Sequence, residues 1–493
     1  MRKFPGLLAL LLSMNASAQN FFGISTGNAA GTHGLYLNPA SIADSRHKFY
    51  FNLGAATLHI DNNYAAWNGP FSLLRAVTGR VPSEWKNDDG SVNFQPYNFR
   101  EKADGKPKNG TVWAEVRGPS AMVSLGSRTA LALTTRLRAA AQVTGANQEF
   151  LSLLRAGFNE SNLWNITNVD NKFNVNANLY GEIGASLAQV VTPLESEHFL
   201  KVGATLKYLS GFYSGHFINR GLSYRVSPDP ANPNQGQLLV QNLDAEFGYS
   251  TQTPLDGGFT IGKFLGSKIP GHGWGYDLGL VYEYRPWIDD YTSGGTYDVE
   301  EDKYRFRIGV ALLDAGSIRY DDPANVRGYS VQRTNKRFSE KDFDDVSGSD
   351  ELVAVLEKKL DLKPSEAKTS FTVGLPTALS LNLDWRLGNE FYVNVAYLKN
   401  LHADSEIAVR QPTVLAITPR LSAEGFLELS LPLVFINGTF APGLALRLGP
   451  VFAGTDNLVG VFGSTKSIRP YGTDVYAGVV IPILKNNRKR SSE

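Results

Sequence analysis

Hydrophobic and polar residues alternate along much of this chain. Between Asn174 and Leu187 one set reads Val175, Ala177, Leu179, Gly181, Ile183, Ala185, Leu187, and the intervening set reads Asn174, Asn176, Asn178, Tyr180, Glu182, Gly184, Ser186. Tyr276, Leu278, Leu280, Tyr282 and Tyr284 alternate with Asp277, Gly279, Val281, Glu283 and Arg285. The same period carries Phe306–Leu312, Leu379–Arg386, Phe391–Tyr397 and Lys201–Tyr208. In a strand, successive side chains point to opposite faces. A membrane barrel needs an apolar lipid face and tolerates a polar lumen face over strands of about 9–11 residues. Here the polar faces carry charges of both signs with Gly and Asn, which a wet or plugged lumen accepts and a dry core does not. The apolar faces begin or end in Tyr, Trp or Phe, as interfacial girdles do. The pattern predicts an all-β fold, a transmembrane antiparallel β-barrel. A soluble sandwich or propeller with solvent on its polar face shares the period, but has no need of so many long strands with aromatic ends.

Candidate strands fall near residues 47–59, 111–125, 129–142, 173–191, 199–211, 216–226, 237–249, 274–286, 303–313, 369–386, 390–399, 412–424, 425–436, 441–453 and 473–483. Single-chain barrels use even strand numbers, which gives about 14, within about two. No solenoid or propeller repeat is evident. Residues 66–110 read as a long polar loop, and 145–168 and 337–364 contain short helical patterns for which lumen, loop and capping positions all stay open.

The N-terminus fixes the expected compartment. Arg2 and Lys3 precede an apolar core, Phe4 to Leu12, and an A-x-A site, Ala16-Ser17-Ala18, leaving Gln19 as the first mature residue. The apolar core is shorter than the ~20 residues of a bilayer span. No cysteine follows it, so it is not a lipoprotein signal; the alternative is an N-terminal anchor. Beyond residue 18 no run is long enough for a membrane helix, so strands must do any spanning. The expected division is 1–18 signal peptide, 19–46 hatch or plug segment, 47–484 barrel and 485–493 basic periplasmic tail, with the mature protein integral to the outer membrane.

Composition narrows the chemistry. The 493 residues carry a net charge of +1, which gives no electrostatic case for nucleic-acid binding. Charged residues make up 19% of the chain, below the roughly 25% of soluble domains. There is no cysteine, so disulfides, thiol nucleophiles, Cys-ligated zinc and iron–sulfur clusters are excluded. Gly23-Ile24-Ser25-Thr26-Gly27 spells a nucleophile elbow without the strand before it or the helix after it. Gly257 to Lys263 spells a phosphate loop, but Phe264 replaces its Ser or Thr. The seven histidines show no metal-ligand spacing, and acidic clusters such as Asp342-Phe343-Asp344-Asp345 lack the calcium-loop pattern. We therefore expect no catalytic residue, no cofactor and no metal.

After the signal comes a Gly-rich apolar segment with the run Gly34-Leu35-Tyr36-Leu37-Asn38-Pro39-Ala40-Ser41-Ile42-Ala43, suited to close packing inside a lumen. This run resembles the N-terminal "NPA" hatch motif of the FadL-like long-chain fatty-acid transporter superfamily and of related Bacteroidota barrels associated with type IX secretion. With Val373-Gly374-Leu375-Pro376-Thr377 and the stretch from Gly443 through Gly454-Thr455-Asp456-Asn457 to Asp474-Val475-Tyr476-Ala477-Gly478, it is similar to an uncharacterised Bacteroidota outer-membrane barrel family of unknown function. The resemblance implies a FadL-like barrel of about 14 strands with a lumen hatch, for which Gly34, Asn38, Pro39 and Ala40 are the candidate residues. Tyr476, Gly478, Ile481 and Ile483 fit the spacing of a C-terminal membrane-insertion signal, although Ile483 stands where an aromatic is usual and Pro482 interrupts the run.

Expected partners are outer-membrane lipid, the barrel-assembly machinery during insertion, and secretion or envelope proteins. The functional expectation is passive transport of small or hydrophobic solutes through a plugged lumen. The alternative is a non-transporting structural or assembly component of a secretion or gliding machine, and an outer-membrane hydrolase is a distant third. The state of the lumen separates the first two: a continuous apolar pocket favours transport, and a filled, charge-paired lumen favours the scaffold.

Overall fold

A computed structural model describes residues 21–250, 269–293, 296–297, 302–344, 346, 349–423, 426–465 and 467–485. The leader, residues 19–20, the Gly257–Lys263 run and the tail beyond Lys485 lie outside the described residues. Fourteen strands follow one another in an antiparallel meander: β1 His47–Asn62, β2 Lys108–Arg117 with Ser120–Leu125, β3 Thr129–Ala146, β4 Thr167–Val190, β5 His198–Asp229, β6 Asn232–Ser250 with Gly271–Tyr284, and β7 Phe306–Tyr320 with Val326–Ser339. Then come β8 Phe371–Gly374 with Ala378–Arg386, β9 Phe391–Asn400, β10 Val414–Ala423, β11 Leu427–Ser430 with Leu433–Ile436, β12 Thr439–Pro442 with Leu444–Leu448, β13 Val451–Thr455 and β14 Gly472–Leu484. The sheet closes where β14 pairs β1, from His47↔Leu484 to Asp61↔Gly472. Closure leaves the spanning part of the wall without an edge, the condition for strands in lipid.

The polar set of each alternating strand turns inward. On β4 Asn174, Asn176, Asn178, Glu182 and Ser186 are buried, while Leu187 on the other face is exposed. The outer face presents Leu131, Leu133, Leu206, Leu278, Leu280, Ile308, Val310, Leu381, Leu383, Leu446 and Ile481 to the surroundings. On β6 this belt is bounded by Trp274 and Tyr276 above and by Tyr282 and Tyr284 below. That run measures roughly 33 Å along the strand and, tilted by about 40°, roughly 25 Å in height, the apolar band of a membrane barrel. No helix among the described residues is long and apolar enough to cross a membrane.

Local chemistry explains where strands differ from their sequence reading. Segments 199–211 and 216–226 form one strand, because a bulge at Phe212 interrupts the alternation: Tyr180 pairs Gly211 and Leu179 pairs Tyr213. Segment 441–453 is two strands, reversed at Gly449-Pro450, where Gly449 has φ +53°. Val326–Ser339, the upper half of β7, carries polar residues on both faces and has no alternation to read. Proline or glycine marks several of the breaks, among them Gly118-Pro119, Pro376, Pro432 and Gly443, whose N–H donates to Pro432 O over 2.6 Å.

Beyond the belt, at the end opposite the termini, β4 to β7 continue as an extramembrane sheet. Phe173, Leu222, Tyr224, Val240, Phe247, Tyr329 and Phe338 form an apolar core there with Leu153, Phe158, Val353 and Leu360. The helices Gln148–Ala156 and Ser349–Lys359 supply Leu153 and Val353. Both helical patterns read from the sequence therefore cap this extension instead of entering the lumen. On β14, Tyr476 and Gly478 are buried on the lumen face, whereas Val479, Ile481 and Ile483 face outward.

Candidate functional site: the closed lumen

The chain enters the barrel before it builds it. Residues 21–43 lie inside the wall and nearly all are buried. Three short turns, Phe22–Ser25, Gly31–Tyr36 and Pro39–Ile42, fold the segment into a plug. Asn38 organises its lower end. The Asn38 Oδ1 accepts from Ala40 N over 2.9 Å, capping the turn that Pro39 begins. Its Nδ2 donates to two wall carbonyls, Leu280 O on β6 at 3.0 Å and Val310 O on β7 at 3.3 Å.

The wall accommodates this turn through glycine. Gly203 on β5 and Gly279 on β6 are cross-strand neighbours. A Cβ at Gly203 would lie 2.5 Å from Ala40 N, and one at Gly279 would overlap Asn38 Oδ1 and lie 2.7 Å from Pro39 Cδ. Of the predicted hatch residues, Asn38, Pro39 and Ala40 thus meet the wall together. Gly34 does not: it lies in the preceding turn, where a Cβ would stand 2.8 Å from Ser41 Oγ. The wall glycines were readable as lumen-facing from their alternation, but their convergence on one turn is a property of register. Gly279→Val is expected to unseat the plug and to destabilise the barrel by about 1–3 kcal/mol through overpacking. The checks are faster protease cleavage within residues 21–44 and a lower urea midpoint. Gly388→Ala, at a position with nothing within 4 Å, serves as the control.

Wall arginines hold the plug backbone. Arg420 Nη1 donates to Thr26 O over 3.0 Å, and Arg447 donates to Ala29 O. Arg117 lies 3.9 Å over the Phe21 ring and 4.2 Å over Tyr36, and its Nη1 is 3.1 Å from His33 Nδ1. Near the termini, Asp302 accepts from Arg46 Nη2 at 2.8 Å, Asn28 Nδ2 at 2.5 Å and Tyr392 OH at 2.9 Å. Burial alone would raise the Asp302 pKa, but the Arg46 charge and the hydrogen bonds from Arg46 and Tyr392 together outweigh it and hold the carboxyl at about 2. Asp44 accepts from Arg285 Nη2 over 2.8 Å.

Paired charges fill much of the rest of the lumen. Arg136 bonds Glu182 at 2.7 Å and Glu115 at 3.2 Å, and Arg117 bonds Glu115 at 2.6 Å. Asp314 takes Arg138 at 2.7 Å and Lys207 at 2.5 Å, and Lys207 also reaches Asp277 at 2.7 Å. A second group joins Arg420 to Asp384 at 3.0 Å and to Glu428 at 3.3 Å. Above these, residues 401–413 fold inward: Gln142 Nε2 donates to Arg410 O over 3.0 Å, Arg410 N donates to Gln142 Oε1 over 2.9 Å, and Val409 packs on Trp113 and Ala140. A polar cavity of about 100 Å³ persists between plug and wall, lined in part by Asn28, Asn38, Lys201, Glu283, Tyr304 and Arg307. Ser25 is buried in the first plug turn, and its Oγ makes no hydrogen bond. No group of three or more His, Asp or Glu among the described residues could hold a metal ion.

Similar solved structures are distant. The Ralstonia pickettii toluene transporter TbuX is 10% identical, with 93% of this chain and 95% of that chain covered at a TM-score of 0.39. The Pseudomonas putida toluene transporter TodX is 8% identical, covering 94% and 96% at 0.34. The translocator domain of the autotransporter NalP from Neisseria meningitidis is 7% identical, covering 88% of each chain at 0.30. No curated protein matches the chain. A family described as being of unknown function, DUF5723, matches residues 39–456, from the Pro39 that opens the seating turn to the Asp456 that meets the plug's first helix, and the chain belongs to that family.

Proposed function

We propose that the chain is an outer-membrane β-barrel with a closed lumen that serves as a structural or assembly component of the envelope, offering its extramembrane sheet and helices to protein partners. The observation that carries this reading is the lumen itself. A hydrophobic solute would have to pass the plug, the Glu115–Arg136–Glu182–Arg138–Asp314–Lys207 network and the inward 401–413 segment. Leaving one member of a buried ion pair without its partner costs about 3–5 kcal/mol. The reading is non-enzymatic.

A second reading, passive transport through a displaceable plug, is favoured by the polar cavity beside the seat of Asn38. Flux measurements decide between them. Intact protein in proteoliposomes is expected to leave the uptake of small sugars and monoaromatic solutes at the lipid-only level, and mild detergent extraction from native membranes is expected to recover a stoichiometric protein partner. Solute-dependent uptake by the intact protein would reverse the order of the two readings.

A further inference from the structure

The polar cavity beside the plug opens onto an incompletely bonded arginine. Arg307 stands on β7 and faces the lumen, between the outward Phe306 and Ile308. Its Nη2 is the bonded nitrogen, 3.3 Å from Asp384 Oδ2 and 3.5 Å from Thr26 O. Asp384 is shared, because it also takes Arg420 over 3.0 Å and Tyr304 OH over 2.5 Å. Among the described residues nothing hydrogen-bonds to Arg307 Nε or Nη1. Neither nitrogen is sealed from solvent, and the side chain is 21% exposed although it points inward.

The cavity around it is small and its lining is charged. Three ion pairs border it: Arg46–Asp302 at 2.8 Å, Arg285–Asp44 at 2.8 Å and Lys201–Glu283 at 2.6 Å. Among the described lining residues, Lys303 and Arg307 add two positive charges to these pairs. On the plug side Ser25 and Ser41 line the space, and neither Oγ makes a hydrogen bond. The volume is about 100 Å³, against about 150 Å³ for a void that holds benzene. That admits a small ion and leaves no room for a long hydrocarbon tail. Arg46 and Asp302, at the end that carries the termini, are 12% and 15% exposed and mark the mouth.

We propose that this cavity binds a small oxyanion of the phosphate kind, held by Arg307 Nε and Nη1 and by the hydroxyls of Ser25 and Ser41. A guanidinium fork matches two oxygens of one anion, and charge-assisted bonds of that kind are the strong ones. The two added positive charges favour a multiply charged ion over acetate. The ion joins β7 to the plug, so it fastens the stopper to the wall beside the seat of Asn38. The inference goes beyond the closed-lumen reading and does not depend on it; the flux measurement tests that reading separately.

The test uses the full chain, purified in detergent without phosphate, and radiolabelled inorganic phosphate in equilibrium dialysis. One phosphate per barrel is expected, with a dissociation constant below about 1 mM, and acetate at equal concentration should not displace it. Arg307→Gln should weaken binding at least about tenfold. Arg307→Lys keeps the charge but loses the fork, and should recover only part of the affinity. Ser25→Ala tests the plug side independently, with an expected loss of about threefold to tenfold. Phosphate should also slow protease cleavage within residues 21–44 of the intact protein and not of Arg307→Gln. Heat modifiability shows that each variant is folded. The proposal is overturned by an absence of saturable binding at about 1 mM phosphate, by displacement with equal acetate, by affinity unchanged in Arg307→Gln or in Ser25→Ala, or by cleavage that phosphate does not slow.

Discussion

Deletion of residues 21–44 is expected to convert the closed barrel into a conducting one, with ion flux at least roughly tenfold above the intact protein. The wall closes on itself through β14 and β1 without help from the plug, so the cylinder should survive. The deletion removes the rings beneath Arg117 and the carbonyls of Thr26 and Ala29 that Arg420 and Arg447 bond. Water takes their place, and these guanidinium groups then face an open lumen. The opened pore should therefore favour anions. Planar-bilayer recording checks both points. An inserted, heat-modifiable deletion variant that carries no current would mean that the wall networks and the 401–413 segment close the barrel unaided.

The second large effect concerns Asp314. Its carboxylate takes Arg138, Arg136 at 3.3 Å and Lys207, and its N–H donates to Asp277 Oδ1 over 2.6 Å. Its φ of +51° belongs to the bulge where Tyr276↔Ala315 gives way to Leu278↔Leu312. Asp314→Ala leaves these cations short of negative charge in a buried setting and is expected to cost about 3–5 kcal/mol. Urea titration of the barrel in detergent measures the loss. Adding Lys207→Met should recover part of it, because the two residues are directly bonded. A loss below about 1 kcal/mol would show that the network is hydrated enough to screen its own charges.

Most of the wall was legible because lipid outside and polar side chains inside impose a period of two. Val175 to Leu187 and Tyr276 to Arg285 fall on the faces their alternation predicts. Legibility fails where that contrast ends. Arg327 to Ser339 stand above the belt, with water on one face and a satellite core on the other, and fall outside the candidate strands. The seating turn was visible at Asn38-Pro39-Ala40 because proline and an Asx cap are local signals. Its receptors, Gly203 and Gly279, and the pairing of Arg136 with Glu182 depend on register between strands, which no short window contains. The cavity beside Arg307 was invisible for the same reason: Ser25, Lys201, Glu283 and Arg307 lie on the plug and on three different strands.

The length of β5 has a mechanical consequence. From Tyr208, level with the upper aromatic ring, to its tip at Asp229, the strand climbs roughly 50 Å at ordinary rise and tilt, far past the headgroups. The same continuous ribbon carries Gly203 at its base, against Ala40. Whatever grips the tip therefore holds a stiff mast whose foot rests on the stopper of the barrel, so a sideways pull at the tip arrives as torque at the seat of the turn.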